Sequence, residues 1–414
     1  MSKRNKTLLG NIDWWIVLIY LAMVCFGWMN IYSVTFEKAD KQLIWIALSF
    51  VLILAIFLLS PTDYKYFSFT FYLMTLFLLI GVLIFGKTIN GAKAWYTFGP
   101  ISFQPAELAK IATALVIARV MSQPNVSIKN SKTLLTLGVL LGSPIALILL
   151  QPDPGSVLVF SSFMLVFYRE GLSMQLILIG LFLVGLFLLS LNLSPWLIMG
   201  SMGMIFLLYM FFFPQKKSKN WILPVFIFVG LSVFVFDAPI MFEKLLKQHH
   251  KDRITILFKD EFDKKYRDNI GYNLFSSKAA IASGEFSGKG FQKGTVTKGK
   301  FVPEQYTDYI FCTVGEEWGF RGSALLIIIY LLFIGRIYFL AEKQKDSFAR
   351  VFGYSAGSIL LLHLVINLGM VMGLLPTVGI PLPFFSYGGS SLWSFTVLVF
   401  IFIRLNASDR NSLI

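Results

Sequence analysis

Long runs of apolar residues, separated by short polar segments, make up most of this chain. Runs of about 17 to 25 such residues are long enough to cross a bilayer as α-helices. The pattern predicts an all-α polytopic membrane protein with 10 to 12 transmembrane helices and a large extracytoplasmic loop before the last three. Twelve spans can be counted, at residues 14–33, 43–59, 67–85, 108–121, 134–150, a short one after Gly155 that reaches Tyr168, 176–191, 196–213, 221–236, 322–338, 351–373 and 391–403.

One long polar stretch, residues 242–321, interrupts the series of spans. It divides the chain into transmembrane helices 1 to 9 (residues 1–241), the polar stretch itself, and transmembrane helices 10 to 12 (residues 322–414). Loops of this length are usually functional or disordered, and the recurring aromatic and aliphatic residues argue against disorder. We therefore expect this stretch to be an ordered, functional loop.

Basic residues accumulate in alternate loops between the predicted spans. Cytoplasmic loops carry an excess of lysine and arginine, so the alternation predicts cytoplasmic N- and C-termini. The same parity places the polar stretch and the loops at residues 91–105, 152–155 and 376–389 on the outer face. The basic residues of the predicted cytoplasmic segments are Lys3, Arg4, Lys6, Lys65, Lys129, Lys132, Arg169, Lys216, Lys217, Lys219, Arg336, Lys343, Lys345, Arg350, Arg404 and Arg410.

Composition agrees with a membrane protein, since 56% of the residues are hydrophobic and 14% are charged. The net charge of +14 could suggest nucleic acid, but the lysines of the polar stretch are interleaved with carboxylates and an external stretch meets no nucleic acid. A phosphate- or diphosphate-bearing substrate at the membrane surface fits better. No cleavage site follows the first apolar run, so we expect that helix to be a retained anchor.

Charged residues at membrane depth are costly and usually functional. Glu107 and Lys110 lie three residues apart and share a helix face. They are either a functional pair or a helix cap with a snorkelling lysine. Asp153, between two prolines, is expected to cap a helix, and His363, in an apolar span, to be a hydrogen-bonded core residue. Cys25 and Cys312 are expected to be small buried residues without a disulfide.

Other polar residues of the chain carry weaker signals. His249 and His250 are adjacent and lack metal-ligand spacing, so surface histidines are the favoured interpretation. The proline- and glycine-rich residues 376–389 predict a non-helical segment that is tolerated at membrane depth only against protein or a water-filled cavity. That segment is either a wall of a site for an amphiphile or a structural re-entrant loop.

Four separated motifs resemble the SEDS family, to which FtsW, RodA and SpoVE belong. The forms GIPLP at 379–383 and NLGM at 367–370 place the resemblance nearer to the RodA-like, elongation-type branch than to the division branch. The family typically has fewer spans, which would make part of residues 176–236 an accessory hairpin. The motifs are GAKAW (91–95) with FQPAELAK (103–110), QPDPGS (151–156), residues 301–320, and GIPLPF (379–384) with SYGGS (386–390).

The resemblance implies a peptidoglycan glycosyltransferase that polymerises lipid II into glycan strands outside the cytoplasmic (inner) membrane, for cell elongation and shape. An acceptor sugar hydroxyl attacks the anomeric carbon, and undecaprenyl diphosphate leaves. The implied partners are lipid II, the growing glycan strand, a class B penicillin-binding protein transpeptidase and other membrane proteins of the elongation complex. A flippase for the lipid-linked precursor is the alternative, and a scaffold that recruits cell-wall enzymes is a third.

The family's essential aspartate lies in the long loop, between an arginine and a Gly-Tyr pair. Counting from Arg253 selects Asp263, and counting back from Gly271 points nearer to Asp268. Asp263 is therefore expected to be the general base, with Asp268 the alternative. Lysines of the loop, or a divalent cation such as Mg²⁺ or Mn²⁺, would stabilise the leaving diphosphate. The candidate substrate-binding residues are Glu107, Lys110, Lys278, Lys289, Glu304, Asp308, Glu316, Pro381 and Ser386.

Overall fold

The computed structural model describes residues 8–89, 91–99, 101–212, 222–245, 248–259, 266 and 271–409. The chain forms two compact units. The first combines Met1–Leu172 with Arg267–Ile414, and the second is the continuous stretch Ser173–Tyr266. Within the described residues, ten helices are long and apolar enough to cross a membrane, as expected for a polytopic membrane protein.

The first unit takes its helices from both ends of the chain. Side chains of Asp13, Ser60, Asn130, Asp153 and Asp346 cap its helices by accepting from backbone N–H groups of the first turn. Its elements are α1 (Leu8–Asn11), α2 (Trp14–Val34), α3 (Phe36–Leu58), α4 (Pro61–Phe85), β1 (Lys87–Ile89), β2 (Ala92–Phe98), β3 (Ile101–Phe103), α5 (Pro105–Met121), α6 (Ser131–Leu149), α7 (Pro154–Phe160), α8 (Phe163–Arg169), α13 (Tyr272–Ser283), α14 (Thr295–Lys298), α15 (Ile310–Glu342), α16 (Ser347–Val371) and α17 (Gly389–Asp409).

The second unit consists of apolar helices followed by a short polar one. Helices α9 (Met174–Asn192), α10 (Pro195–Phe212) and α11 (Ile222–Leu245) pack around a small core of Leu186, Ile198 and Val235. They continue into α12 (Gln248–Thr255) and the 3₁₀ turn Ile256–Phe258. The predicted accessory hairpin, within residues 176–236, falls in this unit.

Helices α5, α16 and α17 form the centre of the first unit and are buried on nearly every side. Helix α5 carries alanine at positions 106, 109, 112, 114 and 118, all buried. Small residues let helix backbones approach closely in membrane proteins, and α5 packs against α4, α16 and α17. The polar side chains of α5 are therefore enclosed by protein.

Two of the twelve predicted spans are not among the ten described helices that are long and apolar enough to cross a membrane. Helix α5 has 17 residues and begins at Pro105, three residues before the predicted span. The short sixth span is two helices, α7 and α8, because the helix is interrupted at Ser161 and Ser162. Helix α5 is buried among other helices of the first unit, where a short helix is tolerated. Helices α7 and α8 are only partly covered, with Leu158, Ser161 and Tyr168 exposed.

The prediction of one large irregular loop over residues 242–321 is not confirmed. Helix α11 reaches Leu245, and α12, α13 and α14 follow. Helix α15 begins at Ile310, twelve residues before the predicted span, and is kinked at Gly319. Residues 310–317 are all buried, so their helix is stabilised by packing although Glu316 and Glu317 give its sequence a polar character.

Residues 87–103, predicted mostly as loop, contain an antiparallel sheet in the order β1-β2-β3. The register pairs Lys87 with Trp95 and Tyr96 with Phe103, and aromatic residues favour such strands. Both cysteines are free. Cys312 is buried as expected, whereas Cys25 is exposed on α2, so the expectation was wrong for Cys25.

Candidate functional site

The four motifs of the sequence converge at one end of the first unit. Gln104 of the FQPAELAK motif contacts two other motifs. Its Nε2 donates to Asp153 Oδ2 of QPDPGS over 2.8 Å, and its backbone N–H donates to Ser390 Oγ of SYGGS over 3.2 Å. The fourth motif, residues 301–320, is joined to SYGGS because Ser386 Oγ donates to the carbonyl of Thr307 over 2.7 Å. The loops expected on the outer face therefore share one surface of the protein.

Asp153 begins α7 as its N-cap, as predicted. Its Oδ1 accepts from the backbone N–H of Ser156 over 3.0 Å, and its Oδ2 accepts from Ser156 Oγ over 2.7 Å. The same carboxylate accepts from Gln104. Asp153 thus holds two of the motifs together as well as capping a helix.

The segment between α16 and α17, residues 372–388, is non-helical, as its prolines and glycines predict. Residues 380–386 are largely enclosed by protein, whereas Met372, Leu374 and Gly379 are exposed. Ile380, Leu382 and Phe385 are buried. On α2, Gly27 packs so closely that a Cβ atom there would lie 2.7 Å from the Cα atom of Phe385. Tyr330 of α15 donates its hydroxyl to the carbonyl of Pro383. The segment is fixed on several sides.

Glu107 and Lys110 form a buried ion pair with 2.8 Å between Glu107 Oε1 and Lys110 Nζ. Their exposed fractions are 4% and 2%. The lysine does not snorkel, because its ammonium lies 2.8 Å from Nε2 of His363, which is also buried. The sequence predicted His363 as a hydrogen-bonded core residue, which is correct, but not that its partner would be Lys110. Glu107 and Lys110 are enclosed by protein, so they would act on substrate through the residues around them.

Glu316 is fully buried and accepts from several donors of the preceding segment. The backbone N–H groups of Thr295, Val296 and Thr297 donate to it over 2.8, 2.9 and 2.8 Å, and Lys289 Nζ lies 2.7 Å from its Oε1. The first turn of α14 is thus built on the Glu316 carboxylate. Glu316 is positioned to organise this segment, and the half-buried Lys289 is its surface partner.

Of the other candidate substrate-binding residues, Ser386 is buried, whereas Lys278, Glu304, Asp308 and Pro381 are at least partly accessible. Lys278 is exposed on α13 with its Nζ 5.8 Å from the ring centroid of Phe275. Glu304 accepts from Thr307 Oγ1 over 2.8 Å. The half-buried Asp308 lies beside Gly379, where a Cβ atom would be 3.2 Å from its Oδ2. A ligand can reach these groups and Lys289 on this surface.

Two tyrosines of neighbouring motifs face each other beside Lys38. The ring centroids of Tyr306 and Tyr387 are 5.8 Å apart, and Lys38 Nζ lies 5.3 and 5.2 Å from them. Burial, with smaller contributions from Glu304 and Tyr387, raises the pKa of Tyr306. Both hydroxyls are therefore neutral near pH 7 and can donate hydrogen bonds.

The two candidate general bases, Asp263 and Asp268, lie outside the described residues. They fall between the 3₁₀ turn Ile256–Phe258 and the start of α13. Among the residues that the structure describes, no group of three or more His, Cys, Asp or Glu side chains could hold a metal ion.

Comparison with known proteins places this arrangement among cell-wall enzymes. The sequence model of the FtsW, RodA and SpoVE family, described as cell cycle proteins, matches residues 12–200 and 179–411. The peptidoglycan glycosyltransferase MrdB of Escherichia coli is 30% identical over 92% of this chain and 90% of its own length. The peptidoglycan glycosyltransferase RodA of Treponema pallidum is 30% identical over 96% of this chain and 98% of its own.

A solved structure shares the fold over nearly the whole chain. It comes from work on the structural coordination of polymerization and crosslinking by a peptidoglycan synthase complex. Its matching chain is 26% identical, with a TM-score of 0.71 and coverage of 96% of this chain and 98% of that one.

Proposed function

Since this chain belongs to the FtsW, RodA and SpoVE family of cell cycle proteins, we propose that it is a peptidoglycan glycosyltransferase that polymerises lipid II into glycan strands. It is a multi-pass membrane protein. With both termini in the cytoplasm, as the distribution of basic residues predicts, the surface that carries the four motifs faces outward from the cytoplasmic membrane. Lipid II would meet the protein there, with its sugars and diphosphate at the level of these motifs.

In the proposed reaction, a sugar hydroxyl of one substrate attacks the anomeric carbon of the other. A C–O bond forms to the acceptor, the bond from the anomeric carbon to the diphosphate oxygen breaks, and undecaprenyl diphosphate leaves. A carboxylate takes the proton of the hydroxyl. Asp263 is the first candidate for this base and Asp268 the second, and both belong to the polar stretch between α12 and α13.

Cationic groups near the leaving diphosphate would stabilise its charge as it develops. Lys278 and Lys289 are the candidates on this surface, because Lys278 is exposed and Lys289 is half-buried. Lys289 Nζ donates to Glu316 Oε1 and to Thr295 Oγ1 over 2.7 Å each, so that its third N–H group has a defined direction. We therefore assign charge stabilisation to Lys278 and Lys289, and positioning of Lys289 to Glu316.

The convergence of the four motifs is the structural observation that carries the proposal. Transport of a lipid would require a path through the helices, whereas the contacts of Gln104, Asp153 and Ser386 assemble polar segments at one end. The resemblance to a chain of a peptidoglycan synthase complex supports a further proposal, that a class B penicillin-binding protein crosslinks the strands made here.

Incubation of the purified full-length protein with labelled lipid II tests the proposal. We expect glycan strands of increasing length, and more of them when the partner transpeptidase is present. Redistribution of lipid II between vesicle leaflets without strands would instead establish a flippase. Absence of both activities, with and without the transpeptidase, would favour a scaffold.

A further inference from the structure

A buried row of hydrogen bonds runs from α5 through α16 to the segment before α17. We call it the Lys110 network, and it consists of Glu107, Lys110, His363 and the carbonyl of Pro381. Lys110 Nζ lies 2.8 Å from both Glu107 Oε1 and His363 Nε2, and His363 Nδ1 lies 3.2 Å from the Pro381 oxygen. Three elements that are far apart in sequence meet in this network.

The partners of His363 determine which ring nitrogen carries the proton. A lysine ammonium paired with a carboxylate has only donors to offer, so Nε2 of His363 must accept. The proton of the neutral ring is then on Nδ1, where it can be donated to the carbonyl of Pro381. The ring also packs edge-on against Phe395, with 4.7 Å between centroids, so that its plane is held.

His363 acts together with Asn367 on the same face of α16. The two residues are four positions apart and therefore project from neighbouring turns. Asn367 Nδ2 donates to the carbonyl of Ile380 over 2.7 Å, while His363 faces the next carbonyl, that of Pro381. Two consecutive carbonyls of the non-helical segment are thus held by two side chains of one helix.

The segment held in this way carries residues of the candidate site. Ser386 lies five residues after Pro381 and donates to the carbonyl of Thr307, and Asn367 also donates to the carbonyl of Asp308 over 2.8 Å. A displacement of the Pro381 carbonyl would therefore move residues on both sides of the surface that a ligand reaches. Groups that are misplaced by about 1 Å can lose about 10²-fold in rate.

We propose that His363 is a positioning residue for the glycosyl transfer. It accepts from Lys110 on one side of its ring and donates to Pro381 on the other, and so transmits the position of the buried ion pair to the wall of the site. Its effect on the reaction rests on the proposed function, but its hydrogen bonds do not. The hydrogen bonds of His363 can therefore be tested independently of activity.

The first experiment examines the ring by ¹⁵N-histidine NMR of the full-length chain in lipid bilayers. The chain has three histidines, so His249→Gln and His250→Gln leave one signal, from His363. We expect a neutral ring with the proton on Nδ1 and an Nε2 signal that shifts when the double variant Glu107→Gln, Lys110→Met removes its donor without leaving a buried charge. A proton on Nε2, or no response to the double variant, would overturn the assignment even if the protein polymerises lipid II.

The second experiment compares turnover of lipid II by variants of His363. His363→Leu removes both hydrogen bonds, and we expect kcat to fall about 10²-fold with little change in KM. His363→Gln can accept with Oε1 and donate with Nε2, so it should recover most of the rate. Ile359→Val, one turn earlier on α16, is the control for a small loss of buried volume and should turn over like the wild type.

The role of His363 in the reaction would be disproved by full activity of His363→Leu. It would equally be disproved by a Gln variant that folds and is as inactive as the Leu variant. If the wild-type protein makes no glycan strands at all, the proposed function fails, and the NMR result still decides whether the Lys110 network exists.

Discussion

Lys289 Nζ lies 2.7 Å from Oε1 of Glu316, and this contact joins the glycine-rich segment before α14 to the start of α15. Glu316 is completely buried whereas Lys289 is about a quarter exposed. The carboxylate is therefore held by protein on nearly all sides, and the lysine connects it to the surface of the candidate site. Glu316 therefore organises the site, whereas Lys289 can contact substrate.

Replacing Glu316 by Gln should loosen the segment that precedes α15. The amide offers a single acceptor oxygen in place of two charged ones, so at least one of the N–H groups of Thr295, Val296 and Thr297 loses its partner. Hydrogen bonds to charged groups are worth about 1.5–3 kcal/mol each, and we expect a loss of stability of that order. The measurement is the melting temperature in detergent, with proteolysis of residues 284–301 as a local readout.

Glu285→Gln is the matched control for Glu316→Gln. The Glu285 side chain is exposed, so the same chemical change should leave melting and proteolysis close to wild type. Equal behaviour of the two variants would show that the buried carboxylate does not hold the segment.

Gly319 is needed at the kink of α15. Its φ is +63°, a region that other residues rarely adopt, and a Cβ atom there would lie 2.3 Å from the backbone nitrogen of Gly288. Backbone strain of this kind costs about 1–3 kcal/mol, and the clash adds to it. We expect Gly319→Ala to lower the melting temperature and to reduce strand synthesis.

Gly335, further along the same helix, serves as the comparison. A Cβ atom there meets nothing within 4 Å, so Gly335→Ala should be neutral or stabilise by about 0.5–1 kcal/mol, as alanine does within helices. A Gly319→Ala protein as stable and active as Gly335→Ala would mean that α15 tolerates a different kink.

The effects of Lys110 and Glu107 on the stability of the protein should depend on each other. Removing one partner of a buried ion pair leaves an uncompensated charge and typically costs about 3–5 kcal/mol, so Lys110→Met should destabilise the protein strongly. The double variant Glu107→Gln, Lys110→Met removes both charges and should be more stable than Lys110→Met alone. Denaturation of the two single variants and the double variant in detergent measures this coupling.

Charge reversal at either position, Glu107→Lys or Lys110→Glu, should also impair turnover of lipid II. Wild-type turnover by both reversed proteins would leave only a capping role for Glu107. Strict additivity in the denaturation experiment would mean that the pair contributes no coupling.

The general base should be found by replacing the two aspartates one at a time. We expect Asp263→Ala to lower lipid II polymerisation by about 10²–10⁴-fold, the usual contribution of acid–base catalysis, with melting unchanged. Asp268→Ala should keep more activity. Asp252→Ala on α12 removes the same charge from a neighbouring polar helix and is the control. An active Asp263→Ala protein beside an inactive Asp268→Ala protein would move the role to Asp268.

The hydrophobic pattern predicted most of the fold because each span is long and nearly uniform. It missed the true start of α15, since Glu316 and Glu317 made residues 310–317 look like part of a loop although these residues are buried in protein. It also could not show that α7 and α8 are two helices. Where tertiary packing replaces lipid as the environment of a segment, hydrophobicity alone no longer predicts its structure.

The candidate site was only partly predictable for a related reason. Motifs located Asp153, Ser386 and Lys110, because prolines, glycines and charged residues in apolar surroundings stand out in a sequence. The partners of these residues did not stand out. The contact of Lys110 with His363 joins positions 253 residues apart, and no local pattern on α16 indicates it. The motifs singled out candidate residues, and the fold showed which groups these residues contact.

The Lys110 network also has a consequence for biosynthesis. During translation, α5 leaves the ribosome long before α16 exists, so Lys110 must enter the membrane without its histidine. Glu107, one turn earlier on the same helix, is available from the start and can neutralise the ammonium during insertion. The ion pair thus allows α5 to be inserted early with both charges, and the hydrogen bond from Lys110 to His363 forms once α16 has been inserted.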